Sequence, residues 1–312
     1  MDNLLLSFHI ILPLFIMLAL GYIIKATKLV DDHTLEQMND VCFKVLFPIL
    51  MFNNIYKTEL KYAFKPKLLL FAIGSVICIF LLLCFLVPLI EKSNSKRGVL
   101  IQGIFRSNFV IFGLPIAISL CGEKHIGPTS ILIAIIVPLY NALSVVILEV
   151  YRGEGVHIKR ILKGIITNPL IIGGVIGVIA MLLHLQLPVP IDKTINDLSK
   201  ITTPLALMLL GASFRFSDIR SYRKQITIGV LGKLIIIPLI FIPISVLLGF
   251  RGYELVPLVV MLGAPPAVST YTIAGKMDAD QTLAGQLVVF GSIGCIVTMF
   301  LWIFIGKQLF LF

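Results

Sequence analysis

The chain has 312 residues, of which 58% are hydrophobic and only 13% charged, and its mean hydropathy is +1.02. Soluble proteins have about 25% charged residues, so this composition excludes a soluble globular protein and indicates an integral membrane protein. The net charge of +10 does not indicate nucleic-acid binding, because the basic residues are dispersed between apolar runs, as interfacial anchors are.

Ten apolar segments are long enough to cross a bilayer, which requires about 20 residues. In chain order they are 5–25, 35–56, 67–90, 98–121, 128–150, 165–184, 194–214, 224–249, 253–275 and 281–307. The second and seventh are the least apolar, since they begin with "TLEQMNDVCFK" and "TINDLSK". The longest connection, "YRGEGVHIKRILKG", follows the fifth segment, and its basic end is typical of a short interfacial helix.

The distribution of Lys and Arg predicts the orientation. Loops after odd-numbered segments hold 14 of the 26 basic residues, and the opposite loops hold 9. Because positive loops face the cytoplasm, we predict a multi-pass protein of the cytoplasmic membrane with both termini outside. The four lysines of "YKTELKYAFKPK" oppose this orientation.

The chain also contains an internal repeat, which is typical of transporters. An offset of 156 places "ILPLFIMLALGYI" on "TNPLIIGGVIGVI" and "FKVLFPILMF" on "SKITTPLALM". Further along, an offset of 151 places "IFGLPIAI" on "LGAPPAVS", which pairs Pro115 with Pro266. Each half, 1–156 and 157–312, has five segments, and an odd number inverts the second copy. The predicted fold is therefore all-α, with two inverted five-helix repeats.

Two segments carry helix-breaking residues in their apolar interiors. In the fourth, "FRSNFVIFGLPIAISL", we expect the break at Gly113–Pro115, and in the ninth, "MLGAPPAVSTYTIAGK", at Pro265 and Pro266. Such breaks survive in lipid only where they are buried in protein or line a cavity. Inverted repeats bring two breaks together near the midplane, where half-helix N-termini attract an anion. This pattern favours a transporter.

Five motifs spread over the whole chain resemble the auxin efflux carrier family, which includes the plant PIN carriers and bacterial malate-permease-like proteins. They are "SNFVIFGLPI", "VPLYNAL", "TNPLIIGGVIG", "TTPLALMLLGASF" and "APPAVSTYTIAGKMDAD". The resemblance implies an NhaA-like crossover fold that works as an elevator. Segments 1, 2, 6 and 7 would form a scaffold that commonly dimerises, and segments 3–5 and 8–10 a moving transport domain.

The resemblance also implies the ligand, because the family carries small organic anions: indole-3-acetate in plants, and dicarboxylates such as malate or malonate in bacteria. Family substrate contacts fall on Asn108 and Val268, with Phe47, next to Pro48, facing them. Plant carriers have a second Asn at the position of Leu170, so we do not expect auxin itself.

Other polar residues near the breaks have both a functional and a structural interpretation. Ser269 and Tyr271 could donate to a carboxylate or bond to their own helix. Arg106 is either an anion-attracting charge or part of a structural ion pair, since a charge this deep needs a partner or water. Lys233 has no partner nearby in the sequence, and Asn141 and Glu149 could support the site.

Competing functions are less well supported. We expect neither a cofactor nor a metal, because the five cysteines and five histidines are dispersed. An enzyme is not expected, since GxSxG and HExxH are absent. A sodium-coupled carrier of the bile-acid type and a transporter-like sensor remain alternatives. No carboxylate neighbours Pro115 or Pro266, which favours uniport driven by the membrane potential or weak proton coupling.

Overall fold

The computed structural model describes residues 2–57, 65–122, 125, 127–152, 158–214 and 218–312. These residues form fifteen α-helices and no strand. The helices are α1 Asp2–Ala26, α2 Asp32–Val41, α3 Phe47–Tyr56, α4 Pro66–Ile90, α5 Asn94–Phe105, α6 Phe109–Cys121, α7 Gly127–Val150, α8 Ile158–Ile166, α9 Pro169–Leu182, α10 Val189–Ser213, α11 Ile219–Leu231, α12 Ile237–Leu247, α13 Gly252–Gly263, α14 Ser269–Lys276 and α15 Gln281–Gln308. Two π-helical turns, Cys42–Leu46 and Gly232–Ile236, join α2 to α3 and α11 to α12.

The all-helical prediction is confirmed, and every predicted segment falls on one helix or on consecutive helices. Four rods are long and apolar enough to cross a membrane by themselves: Pro66–Ile90, Gly127–Val150, Ile219–Leu247 and Gln281–Gln308. A fifth is added if the bent pair within Asn94–Cys121 counts as one span. The ten membrane crossings therefore stay a prediction.

Several helix starts follow directly from local sequence. Asn168 caps α9 by accepting a hydrogen bond from the backbone N–H of Leu170 at 3.0 Å, with Pro169 at the first helical position, where its missing N–H does no harm. Asp31 caps α2 in the same way, accepting from the backbone N–H of Thr34 at 2.7 Å. Hydrogen bonding to Thr34 holds the pKa of the Asp31 carboxyl below its usual value.

The fully buried part of the bundle lies around the two interrupted segments. Every residue from 98 to 109 and from 255 to 274 is buried. In contrast, α4 and α9 each expose apolar side chains along one side, for example Leu81, Phe85, Val175 and Ile179. These two stretches, which contain both interruptions, are thus enclosed by protein, and the surrounding helices present much of the apolar outer surface.

Two helix pairs pack with almost touching backbones, α1 with α10 and α3 with α9. A Cβ atom on Gly21 would overlap the carbonyl oxygen of Met208, and one on Gly177 would lie 3.1 Å from the carbonyl oxygen of Phe52. Gly177 lies 156 positions after Gly21, and Met208 lies 156 positions after Phe52, so the two contacts join equivalent residues of the two halves. The packing therefore recurs with the offset found in the sequence.

The ends of α1 and α9 repeat with the same offset. Lys28, with φ of 59°, and His184, with φ of 49°, both adopt the left-handed conformation, which commonly ends helices. The following N–H groups also bond alike, Leu29 to the Ile24 carbonyl at 3.2 Å and Leu185 to the Ala180 carbonyl at 3.0 Å.

The expected break at Gly113–Pro115 coincides with a bend and not with an end of helical structure. Both residues lie inside α6, and helical structure is interrupted earlier, at Arg106–Asn108. A helix can continue through a proline with a bend, and the axes of Asn94–Gly113 and Pro115–Cys121 differ by 59°. Pro115 and Pro266, which the offset of 151 pairs, therefore differ in local structure, because Pro266 lies within an interruption, at 264–268.

The close helix contacts predict a graded response to added methyl groups. Gly21→Ala should lower the free energy of unfolding by ~1–3 kcal/mol, since the new Cβ collides with backbone that cannot rotate away. Gly177→Ala should have a smaller effect. Gly74→Ala is the control, because its Cβ would meet nothing within 4 Å. Thermal unfolding in detergent measures the order, and equal melting temperatures for all three would contradict the packing.

Candidate functional site

The two interruptions of the buried segments touch each other through their backbones. The Asn108 N–H donates to the Pro265 carbonyl at 2.8 Å, and the Ser107 hydroxyl donates to the Ala264 carbonyl at 3.4 Å. All four residues are buried. Polar backbone groups freed by one interruption are thus satisfied by the other.

Arg106 lies at the C-terminal end of α5 with only 3% of its surface exposed. Its Nη2 donates to Asn141 Oδ1 on α7 at 2.6 Å and to the Ser269 hydroxyl on α14 at 2.5 Å, and its Nη1 donates to the Ser144 hydroxyl at 3.4 Å. These partners are neutral. In the described part of the chain, no carboxylate forms an ion pair with Arg106.

A small cavity of about 50 Å³ lies where the interruptions meet. It is lined by Phe47, Leu50, Met51, Arg106, Ser107, Asn108, Phe109, Val110, Ile111, Val137, Tyr140, Thr203, Ala267, Val268 and Ser269. A cavity of this size holds one or two water molecules. An organic ligand could bind there only after the lining helices have moved apart.

Two helix N-termini border this cavity, that of α6 at Phe109 and that of α14 at Ser269. The first backbone N–H groups of a helix carry partial positive charge. At the start of α14, the N–H groups of Thr270 and Tyr271 donate to the carbonyls of Ala267 and Val268. Together with the guanidinium of Arg106, the two helix N-termini make the cavity electropositive. The arrangement suits an anion with carboxylate oxygens.

The structure brings five predicted site residues to this cavity, and they are Phe47, Arg106, Asn108, Val268 and Ser269. Asn141 supports it through Arg106. Pro265 joins the interruptions, and Pro266 packs on Gly291.

The remaining predicted residues lie elsewhere. Gly113 packs against Phe109 and Ile133, and Pro115 lies further along α6. Glu149 lies at the far end of α7, where it accepts from Arg152 at 3.1 Å. Lys233 is buried in the second π-helical turn, and the side chain of Tyr271 faces a different cavity.

Sequence reasoning missed Thr203 and Met51. Thr203 precedes Pro204 as Phe47 precedes Pro48, and the offset of 156 could have identified it as the repeat partner of Phe47. Met51 lines the cavity and accepts a hydrogen bond from Asn141 Nδ2 at 2.7 Å. No sequence signal distinguishes this methionine from others in apolar segments.

A larger cavity of about 590 Å³ leads inward to Tyr271. It is bordered by the ends of α1 and α10, by α2, by α14 and by the start of α15. Its walls carry Lys25, Asp32, Glu36, Asp218 and Lys276. Three connections meet at its mouth, α1–α2, α10–α11 and α14–α15, and each follows an odd-numbered predicted segment.

Two apolar crevices lie beside the paired helices, which also contact other helices of the bundle, as α1 does α15. One, of about 380 Å³, lies between α1, α10 and α15, and the other, of about 250 Å³, lies between α3, α9 and α7. Phe15, Leu18, Ala19, Tyr22 and Ile23 line the first, and Ile171, Gly174, Val175, Val178 and Ile179 line the second. Each residue of the second set is 156 positions after its counterpart. The crevices are therefore equivalent surfaces of the two halves.

Within the described ranges, no three His, Cys, Asp or Glu residues lie close enough together to hold a metal ion. His157 lies outside those ranges, and the side chain of His9 is not among the described side chains.

The fold and the site define a multi-pass helical membrane protein whose two chain interruptions meet in a buried, electropositive cluster. The family described as "Membrane transport protein" matches residues 6–303, and the chain belongs to this family. The resemblance to the auxin efflux carriers drawn from the motifs is confirmed by this match.

Curated relatives align over nearly the whole length. The chain is 25% identical over 307 residues to an "Uncharacterized transporter" of Methanothermobacter thermautotrophicus, covering 95% of this chain and 97% of that protein. It is 21% identical over 300 residues to the "Putative malonate transporter" of Rhizobium meliloti, covering 93% and 92%. The "Uncharacterized transporter YfdV" of Escherichia coli K12 is 21% identical over 308 residues, covering 95% and 96%.

The hydrogen bonds of Arg106 predict that lysine cannot replace it. Arg106→Lys should lower the free energy of unfolding by about 1–3 kcal/mol, because one ammonium on a shorter side chain replaces two guanidinium nitrogens and leaves a buried polar atom unpaired. In the wild type, Nη2 bonds Asn141 and Ser269 while Nη1 bonds Ser144. Arg152→Lys is the control, since its ion pairs are partly exposed and such pairs contribute less than about 1 kcal/mol. Thermal unfolding of both variants tests this, and equal losses would contradict the assigned role.

Proposed function

We propose that the chain is a secondary transporter of small organic anions, mono- or dicarboxylates, and that the anion binds where the two interruptions meet. The observation that carries the proposal is the cluster of Arg106 and two helix N-termini around one cavity, without a carboxylate ion-paired to Arg106 in the described residues. An electropositive site buried in a membrane protein needs an anion to balance its charge. Membership of the membrane transport protein family supports transport as the reaction.

The proposed architecture consists of two inverted repeats of five spans, with α5 and α6 as the halves of one broken span and α13 and α14 as those of its counterpart. The offset of 156 supports this, because it recurs in the Gly21 and Gly177 contacts, in the ends of α1 and α9, and in both crevices. Repeats of this kind support alternating access around a fixed site.

We further propose that one unit slides against the other, as in an elevator. The scaffold is α1–α3 with α9 and α10, which the close α1–α10 and α3–α9 contacts hold together. The moving unit is α4–α7 with α11–α15, and it carries Arg106 and both interruptions. The crevices and the larger cavity lie on the boundary between the two units, which supports this division.

We propose that two copies form a dimer through the scaffold. The exposed apolar side of α9 supports this surface.

The proposed orientation, with both termini outside, makes the loops around the larger cavity face the cytoplasm of the cell. The cavity would then be the cytoplasmic entrance to the site.

Uptake into proteoliposomes tests the proposed function. Labelled malonate, malate and acetate are offered with and without sodium, a pH gradient and a membrane potential. Malonate is included because the name of one relative is "Putative malonate transporter". We expect saturable uptake of at least one anion that depends on the membrane potential or the pH gradient and not on sodium. Sodium-dependent uptake would favour the bile-acid-type alternative, and uptake of none by folded protein would contradict the proposal.

Asn108→Ala should fold normally and reduce uptake at least tenfold, because the side chain lines the cavity while the backbone N–H that bonds Pro265 is retained. Asn196→Ala on α10 is the matched control, since residue 196 lies outside the cavity lining. Initial rates at equal amounts of reconstituted protein provide the measurement. Undiminished uptake by Asn108→Ala would remove this residue from the site.

Filling a crevice should block movement without abolishing binding. Ala19→Trp and Ala142→Trp each place a large ring in one of the two crevices, and we expect at least tenfold slower uptake with substrate still protecting the protein against thermal unfolding. Leu86→Trp, on the exposed side of α4, is the control. If both crevice variants transport at the control rate, the boundary between the units is misplaced.

A further inference from the structure

Helix α8, Ile158–Ile166, is part of the connection between α7 and α9. Its nine residues extend about 14 Å, which is too short to cross a bilayer. It follows α7, one of the rods that are long and apolar enough to do so, and it packs against α7 and α9. In the proposed architecture, α8 therefore lies at the end of a membrane span, where the lipid head groups are.

One side of α8 is held against α7 at Gly164. A Cβ atom at this position would lie 2.7 Å from the carboxyl carbon of Glu149, which is well inside van der Waals contact. Glu149 is buried near the end of α7 and forms an ion pair with Arg152. The Gly164 side of α8 is thus the side that faces the protein.

The opposite side of α8 is apolar and uncovered. Successive residues of an α-helix are rotated by about 100°, so Leu162 and Ile166, each two positions from Gly164, lie on the side away from α7. Leu162 is 52% exposed and Ile166 is 70% exposed. Large apolar side chains directed away from the protein at the end of a span are stable where the outer part of the lipid layer covers them.

Basic residues lie beside this apolar side. The sequence "IKRILKGII" places them at the second, third and sixth positions of α8. Lys159 and Lys163 are four positions apart, on one side of the helix, and both are exposed. Neither forms an ion pair with a carboxylate of the described residues. The offset of 156 places them on Asn3 and Ser7, so the positive charge belongs to this connection and is not part of the repeat.

We propose that α8 binds anionic phospholipids of the bilayer surface, with Lys159 and Lys163 at the lipid phosphates and with Leu162 and Ile166 among the upper acyl carbons. Helices that lie in the membrane interface combine an apolar side with a basic side in this way. Each lysine near an anionic surface adds to the attraction, so charge complementarity selects an anionic head group over a zwitterionic one. The interaction requires only the surface of α8 and goes beyond the proposed transport.

Tryptophan fluorescence tests the interaction at α8 itself. The chain has one tryptophan, Trp302, so Ile166→Trp in a Trp302→Phe background places a single fluorophore on the exposed apolar side. The protein is reconstituted into mixed bilayers of phosphatidylglycerol and phosphatidylcholine, in which one lipid or the other carries brominated acyl chains. We expect both brominated lipids to quench the emission, with a preference of roughly threefold or more for phosphatidylglycerol. Added salt should reduce this preference, because exposed charges are screened.

Lysine variants assign the preference to α8. Lys159→Gln combined with Lys163→Gln should lower it to nearly equal quenching by the two lipids, while the quenching itself persists. The matched control is Lys28→Gln combined with Lys92→Gln, which removes the same charge from exposed positions in two other connections that follow odd-numbered predicted segments. This control should retain the preference. Leu162→Trp in the same background provides a second reporter on the same side of the helix.

The outcomes are decisive without any measurement of transport. If neither brominated lipid quenches either reporter, α8 does not lie in the bilayer surface and the proposal is overturned. Equal quenching by the two lipids with both lysines present overturns the selection of anionic lipid, as does an equal loss of preference in the control. If quenching falls as the protein-to-lipid ratio rises, a second copy of the chain covers this side, and the lipid assignment is wrong. The proposed function stands or falls separately, on uptake.

Discussion

A broken helix in an apolar environment must find partners for the backbone groups that the break releases, because each unpaired group costs several kcal/mol in lipid. Here each interruption provides partners for the other. The Asn108 N–H bonds to the Pro265 carbonyl, and the Ser107 hydroxyl bonds to the Ala264 carbonyl. The rest of the molecule can be understood as the enclosure that keeps these two short stretches together and away from lipid.

The contact between the two interruptions also has an electrostatic consequence. Arg106 is held by Asn141, Ser144 and Ser269, which satisfy its N–H groups and leave its charge in place. Neutral partners orient a guanidinium without neutralising it, whereas a carboxylate would have turned the site into a structural ion pair. The proposal of an anion transporter depends on this difference.

The site depends on hydrogen bonds and charge, whereas the helix pairs depend on close packing at small residues. Glycines at Gly21, Gly177 and Gly211 bring backbones together in the α1–α10 and α3–α9 pairs, as small residues do where the hydrophobic effect offers little between helices in lipid. By contrast, crevices lie between these pairs and the helices that carry the site. Close packing within the pairs and crevices beside them are compatible with the proposed sliding mechanism, and they support the division into scaffold and moving unit that the family resemblance implies.

The sequence by itself determined the helical segments, the membrane environment and the offset of 156, because apolar length, proline and glycine are local signals that act within one helix or repeat identically in two. Of the five predicted residues that line the cavity, Phe47, Asn108 and Val268 came from the family resemblance, and Arg106 and Ser269 from their places near the expected breaks. It predicted a break at Gly113–Pro115, where the axes of Asn94–Gly113 and Pro115–Cys121 differ by 59°. It did not predict the interruption at Arg106–Asn108, because no glycine or proline marks that stretch. Only the tertiary structure decided that Arg106–Asn108 lies against Ala264–Val268 and that Arg106 lacks an acidic partner in the described residues. These are contacts between residues more than 30 positions apart in the chain, and no local pattern encodes which distant group a side chain will meet.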